Sequence, residues 1–370
     1  MITRTRKLTL ADTYPLERIG RLDEILFFDI ETTGFSPVYS TLYLIGCTYY
    51  EDGGWHLRQW FADTKEAETD VLHAFFAFMG QYRTLVHFNG DGFDLPYLQK
   101  RCGQLGLAYD FSEIRSYDIY KRCKPYRKVL GLDSMKQKAI ERFLGIFRQD
   151  KYNGGQLIEV YKEYLMTHED YLYDLLILHN AEDLEGMPQI LPILNYPDFF
   201  EQPLTYQTAE RAGSQLHLTF TSECRLPVPL KLNLPPVKTL IEESQMIFSI
   251  SLYEGTLKHF YPNYRDYYYL IYEDTAVHKS IGEYVDKGAR IKATKKTCYT
   301  KKEGAFLPQF APLWEPVLQK DPKDKVTYVE FSSACLEDEN CRQAYLIQLL
   351  TWIGIPSVKI QTTTVHLRQS

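Results

Sequence analysis

Long apolar runs are missing from this chain. No stretch approaches the roughly 20 residues that a membrane-spanning helix needs, and the opening residues, MITRTRKLTLADTYPLERIG, carry charge without the apolar core of a secretion signal. No membrane association is expected, and the expected compartment is the cytoplasm. A cysteine framework is missing as well: Cys47, Cys102, Cys123, Cys224, Cys298, Cys335 and Cys341 are an odd number, scattered, with no C-x-x-C spacing. That pattern speaks against both a disulfide scaffold and a cysteine-ligated zinc. There is no internal repeat and no low-complexity tract. Net positive charge is lacking too, since 42 Lys+Arg stand against 48 Asp+Glu and leave −6, so the chain as a whole does not draw in a polyanion. The charge is unevenly spread, however. Residues 121 to 151 hold ten Lys/Arg against three Asp/Glu, and residues 279 to 302 hold eight against two. Such patches steer nucleic acid, or they are solvated helix and hairpin surfaces.

What is present is the composition of a soluble globular protein, 45% hydrophobic and 24% charged. At 370 residues the chain is long for one core and short for three, so two domains are expected. The first half reads as strands followed by helices. The run EILFFDIETTG is one strand, and two further strands flank the turn signal EDGG. Apolar residues at Val71, Leu72, Phe75, Phe76 and Met79 have helical spacing. TLVHFNG returns to a strand, and LPYLQKRCGQLG is a helix with Pro96 in its first turn. A short strand at RSYDIYK and helices near 133 to 145, 155 to 166 and 168 to 190 follow. The class is α/β, a hairpin-edged mixed sheet flanked by helices. Pro197 and Pro203 bracket a change of pattern, which gives an N-terminal segment 1–23, a first domain 24–196 and a β-rich α+β domain 197–370. In that last part strands are expected to double back around Glu254 and Gly255 and again at KKEG, with a terminal helix at EDENCRQAYLIQLLTWIG.

Three pieces of the first domain carry carboxylates where chemistry needs them. Asp29 and Glu31 are two apart at the end of the first strand and therefore share a face. Like charges that close repel unless a cation sits between them, which makes the pair a candidate cation site; a strand end with polar turn residues is the plainer account. Asp94 stands at a strand-to-helix junction in HFNGDGFDLPYL, where it is an N-cap, a partner for Asp29, or both. His179 and Asp183 lie one helical turn apart in LHNAEDLEG, as a site pair or as an ordinary surface pair.

Taken in order, these pieces resemble the RNase H-like 3′-to-5′ exonuclease superfamily with four acidic residues, the DEDD or DnaQ-like nucleases, over about residues 24 to 194. FDIETTG is similar to its first motif, HFNGDGFDLPYL to its second and HNAED to its third, and the His-Asn-x-x-Asp form of the third resembles the YprB-like ribonuclease H-like branch. The resemblance implies an RNase H-like fold and metal-binding roles for Asp29, Glu31, Asp94 and Asp183. It also implies a general base at His179, and a terminal-nucleotide pocket lined by Thr32, Thr33, Gly34, Asn89 and Gly90. In the family's His-type members the base precedes the last Asp by five residues and in its Tyr-type members by four; here a histidine occupies the tyrosine spacing. Imidazole, which titrates near neutral pH, suits a general base better than phenol does.

Oxygen-only sites favour hard cations, so two divalent ions, Mg2+ or Mn2+, are the expected cofactors. The expected activity is metal-dependent 3′-to-5′ hydrolysis of DNA or RNA by a two-metal mechanism, with single-stranded or 3′-ended nucleic acid as the partner. A catalytically inert nucleic-acid-binding or scaffold protein on the same fold is the alternative. In the last domain, Tyr267, Tyr268 and Tyr269 are consecutive, and strand alternation sends some of these rings into a core and leaves others for base stacking.

Overall fold

Residues 25–28 are apolar on both faces, the pattern of a strand covered from both sides. The computed structural model, which describes residues 1–11, 13–147 and 154–356, places them at the centre of a sheet. The chain divides into two compact units, Met1–Asp198 and Phe199–Ser370. In the first, β1 (Ile2–Leu8), β2 (Ile25–Thr32), β3 (Leu42–Glu51) and β4 (Gly54–Phe61) precede α1 (Glu68–Met79). Then come β5 (Thr84–His87), α2 (Asp94–Gln104), β6 (Arg115–Asp118), α3 (Ile119–Cys123), α4 (Gln137–Phe143), α5 (Gly154–Thr167) and α6 (Asp170–Ile190). Helix α7 (Asn195–Glu201) carries Pro197, where the sequence pattern changes.

The sheet order is β1-β4-β3-β2-β5-β6. Strands β1, β4, β3 and β2 run antiparallel to their neighbours, whereas β2-β5 and β5-β6 are parallel. The mixed sheet flanked by helices is the RNase H-like architecture. The EDGG turn closes the β3–β4 hairpin with Asp52 and Gly53 both at positive φ, as a tight hairpin turn requires. Two helices seal the two faces of β2. Phe28 stacks on Phe75 of α1 at 5.7 Å, while the opposite face, with Asp29, meets Asn180 of α6. The core of this unit gathers Phe28, Tyr43, Phe61, Phe75, Tyr97 and Tyr161. The N-terminal segment, which its sequence leaves without an element, adds β1 to the sheet by pairing Ile2–Leu8 with Trp55–Phe61. The helix expected from 133 spans only Gln137–Phe143, and residues 148–151 of the basic stretch lie outside the described residues.

The second unit opens with a sheet of order β7-β8-β11-β10-β9, built from β7 (Thr205–Ala212), β8 (Gln215–Thr221), β9 (Leu230–Leu234), β10 (Val237–Glu242) and β11 (Gln245–Ser251). Then come β12 (Tyr253–Phe260), β13 (Tyr267–Leu270), β14 (Thr275–His278), α8 (Lys279–Gly282), β15 (Arg290–Lys292), β16 (Tyr299–Gln309), β17 (Thr327–Glu330) and the terminal α9 (Glu339–Trp352). Two smaller sheets, β12-β16-β17 and β14-β13-β15, complete it.

Two expected turns are strand interiors instead. Gly255 and Gly304 face each other as a cross-strand pair in the β12–β16 ladder. The Tyr253 ring covers the bare backbone at Gly255, where a Cβ would sit 3.2 Å from its hydroxyl. Tyr253 is itself paired with Phe306 across the strands. Rings folded over glycine restore the packing that its missing side chain forfeits, so both strands run through residues that look like breakers. Among the described residues, no helix is long and apolar enough to cross a membrane.

Candidate active site

Alternate strand residues share a face, so β2 aims Asp29 and Glu31 together at the side covered by α6. Asp29 stands on one rung with Gly46 of β3 and Gln59 of β4. The bare backbone at Gly46 lets α6 lie close, because a Cβ there would overlap Oδ1 of Asn180 and Cδ1 of Leu184. Asn180 is wholly buried and spans the rung. Its Nδ2 donates to Asp29 Oδ2 at 3.0 Å, and its Oδ1 accepts from Gln59 Nε2 at 2.9 Å; Gln59 Nε2 also donates to the Ile177 carbonyl at 3.0 Å. One oxygen of Asp29 is thus held by an amide that is itself oriented by a second amide.

One turn of α6 places His179 and Asp183 side by side. Nε2 of His179 lies 3.6 Å from Oε1 of Glu31 and 3.5 Å from Oδ2 of Asp183, and ligand atoms of Glu31, His179 and Asp183 all fall within 4.8 Å of one another. The Tyr43 hydroxyl donates to the other Glu31 oxygen at 3.4 Å. Behind Asp183, Gln137 Nε2 donates to its carbonyl at 2.9 Å, which brings the start of α4, with the exposed Lys136, to the rim. Asp94 is the first residue of α2 and not its cap; Phe93 holds the cap position without a side-chain bond. The backbone N–H groups of Asp94 itself and of Ile30 favour the charged form of its carboxylate.

The electrostatics follow from this crowding. Burial pushes the Asp29 carboxyl well above the usual carboxylate range; the charges of Asp183, Glu31 and Asp94 add to that, and the Asn180 amide opposes it. Glu31 is raised to about 7, first by burial, with His179 opposing and Asp183 and Asp94 reinforcing. Asp94 is raised to about 7, again first by burial, with its own N–H opposing and Asp118 reinforcing. Carboxylates crowded this closely under α6 repel one another, a repulsion that a bound cation would relieve. The oxygen-rich donors fit a hard divalent ion.

Of the residues expected to line a nucleotide pocket, Thr32, Thr33 and Gly34 lie where β2 bulges between Glu31 and Thr32 and enters the loop to β3. The Thr32 hydroxyl donates to Gly34 O at 2.9 Å, and Thr33 Oγ1 accepts from the Thr41 N–H at 2.8 Å, so both hydroxyls shape the loop. The same loop carries Phe35 and Tyr39, each 90% exposed. Asn89, at φ 65°, and Gly90 form the turn before Asp94.

That turn is locked from below by His87, Asp91, Ser116 and Asp118. Gly90 N donates to His87 Nδ1 at 3.0 Å, Asn89 N to Asp118 Oδ1 at 2.9 Å, and Nε2 of His87 lies 2.7 Å from Ser116 Oγ. A Cβ at Gly90 would stand 2.6 Å from the imidazole. Burial lowers the His87 pKa, Asp118 and Asp91 opposing, which suits a neutral ring that accepts a hydrogen bond. His87, Asp91 and Asp118 are close enough to ligate an ion, but both ring nitrogens are engaged, so the group acts as a brace for the turn.

Gln59 and Gly46 carry no site signal in the sequence, and Asn180 stands there only as a letter of the His-Asn-x-x-Asp motif. Its own signal is that of an asparagine between two site residues on an apolar helix, where a poor helix former needs a reason. Gly46 and Gln59 show their role only through strand register.

Fold and clustered carboxylates together define a nuclease-type, RNase H-like unit. Residues 26–195 match the family model described as the RNase_H superfamily. Among solved structures the chain is similar to the family B DNA polymerase from the hyperthermophilic archaeon Pyrobaculum calidifontis, at 13% identity and a TM-score of 0.38, over 65% of this chain and 35% of the polymerase chain. The matched region thus spans about a third of that polymerase's length. No curated protein matches the chain.

Proposed function

We propose that residues 24–196 form a divalent-cation-dependent 3′-to-5′ exonuclease domain that hydrolyses phosphodiester bonds of single-stranded or 3′-ended DNA or RNA, with the β-rich unit as an accessory domain. The observation that supports this reading is geometric: ligand atoms of Glu31, His179 and Asp183 lie within 4.8 Å of one another, with Asp29 on the same face of β2 as Glu31. These four would hold two ions, Mg2+ or Mn2+, which when bound supply charge to activate water and to stabilise the leaving oxygen. The 3′-to-5′ direction rests on the motif resemblance.

The chain's own residues account for the remaining work. Asn180 and Gln59 keep Asp29 in one orientation, so no reorganisation is needed as substrate arrives. His179, with Nε2 turned into the carboxylates, takes the proton of the attacking water; an imidazole is suited to that transfer. Thr32 and Thr33 hold the loop that carries Gly34, and in this reading, by the motif resemblance, that loop and the Asn89–Gly90 turn border the terminal nucleotide.

The test is a nuclease assay on 5′-labelled single-stranded and duplex DNA and RNA with Mg2+, Mn2+ or EDTA. A ladder shortening from the 3′ end is expected only with a divalent ion, and Asp29→Ala should lower the rate by more than about 100-fold. Absence of hydrolysis with either ion would leave the inert binding protein as the better account.

A further inference from the structure

The sheet β14-β13-β15 and its helix α8 use their three consecutive tyrosines internally. Tyr267 stacks on Tyr261 at 4.8 Å, the Tyr269 hydroxyl donates to Asp274, and Tyr268 lies under the Arg290 guanidinium and against Gly282. Those rings are half-buried and engaged within the unit. Others are not. Tyr272 is 81% exposed and Tyr284 91% exposed, and neither has a ring or hydroxyl partner among the described residues. Two hydrogen bonds tie the segments that carry them to the start of β15. Ile271 N donates to Ala289 O at 3.0 Å, which holds the β13–β14 turn beside the start of β15, and Arg290 donates to Gly282 O, which ties that same point to the end of α8.

From this end a run of cations follows β15, the edge strand. Residues 287 to 302 contain seven Lys/Arg and no Asp or Glu. Three are engaged: Arg290 with Gly282, Lys301 with Asp274 and Lys302 with Glu330. Lys287, Lys292, Lys295 and Lys296 are exposed and have no ion-pair partner among the described residues. Ile291, half exposed, lies between them. Unpartnered rings at the head of an unpaired row of lysines match the chemistry of a strand with flat bases and a phosphate on every unit.

We propose that the β15 edge, with Tyr272 and Tyr284 at its head, is a binding surface for single-stranded nucleic acid, separate from the carboxylate site. The proposal deepens the nuclease reading and rests on it for the class of ligand. The cations contact backbone phosphates and the two rings stack on bases, so binding is salt-dependent and tolerant of sequence.

The test uses the full chain in EDTA, where hydrolysis is not expected, and reads the fluorescence anisotropy of labelled single-stranded 20-mers of DNA and RNA across a salt series. Lys292→Ala/Lys295→Ala/Lys296→Ala should reduce the slope of log affinity against log salt by about 2, at roughly 0.7 per phosphate contact. Tyr272→Ala/Tyr284→Ala should weaken binding by about 10-fold per ring, with thermal melting unchanged because both rings are solvent-facing. Neither variant should slow metal-dependent cleavage of a dinucleotide, which needs the carboxylate site alone. Wild-type affinity and salt slope in both variants would overturn the surface, and so would failure of the wild type to bind either 20-mer at low salt. Weakened 20-mer binding in a protein that cleaves nothing would leave the surface standing and sink the nuclease reading. Cleavage with unaltered binding would do the reverse.

Discussion

Asn180 makes a direct bond to Asp29 and takes its own orientation from Gln59. Outer partners of a metal site typically change affinity by about 10–100-fold when removed. Asn180→Ala is accordingly expected to weaken Mn2+ binding by that factor, read by calorimetric titration of the metal-free protein; Gln59→Ala should act in the same direction and less strongly. An unchanged Kd in both would show that Asp29 needs no outside support. At this scale the sequence displays the acidic residues plainly, because charge at the end of FFDIE or within LLILHNAED stands out against apolar neighbours. It conceals Gln59 and Gly46, whose roles come from lying on the Asp29 rung. It also leaves Asp94 open as a cap, whereas the backbone sets Phe93 at the cap position and Asp94 one residue inside α2.

Elements rather than residues set the spacing of the site. Helix α6 sits at its height on the sheet because nothing projects from Gly46. Gly46→Ala should therefore lower stability by about 1–3 kcal/mol as the core is overfilled, and weaken Mn2+ binding together with it. Gly103→Ala is the control: it lies inside α2 facing open space, and alanine there should be neutral or stabilising by up to about 1 kcal/mol. Chemical denaturation of the two variants side by side checks the difference, and equal stabilities would refute the steric account. The elements legible from sequence are those whose side chains do the work, such as the apolar β2 and the α1 face through Val71, Leu72, Phe75 and Phe76. Strand β1 escapes notice because almost every side chain in ITRTRKL points to solvent and it is held by its backbone ladder to β4. Gly255 and Gly304 mislead because cross-strand pairing under Tyr253 and Phe306 outweighs the local tendency to turn.

For the whole molecule, the buried carboxylates are expected to make stability depend on pH and on divalent metal together. Glu31 and Asp94 are raised to about 7 in the fold, against roughly 4 in an unfolded chain. Between those values the native state holds protons that the unfolded state has released. Their contribution is full below about pH 4 and is lost as pH rises through about 7. Relative to Glu31→Gln/Asp94→Asn, the metal-free wild type should lose thermal stability between pH 5.5 and 8. Mn2+ at pH 8 should restore it, by about 2.7 kcal/mol at a hundredfold excess over Kd, and the double variant should show neither effect. Scanning calorimetry follows both, and parallel pH profiles for the two proteins would contradict the raised carboxyls. The division of the chain into Met1–Asp198 and Phe199–Ser370 adds that the metal effect belongs to the melting of the first unit. Strand β1 bears on how copies of the molecule meet one another. Without it the sheet would end at β4, leaving a rim with Trp60 and Phe61. With it the rim displays Arg4 and Lys7, and a second molecule approaching side-on encounters like charge where fibril growth would otherwise find a template.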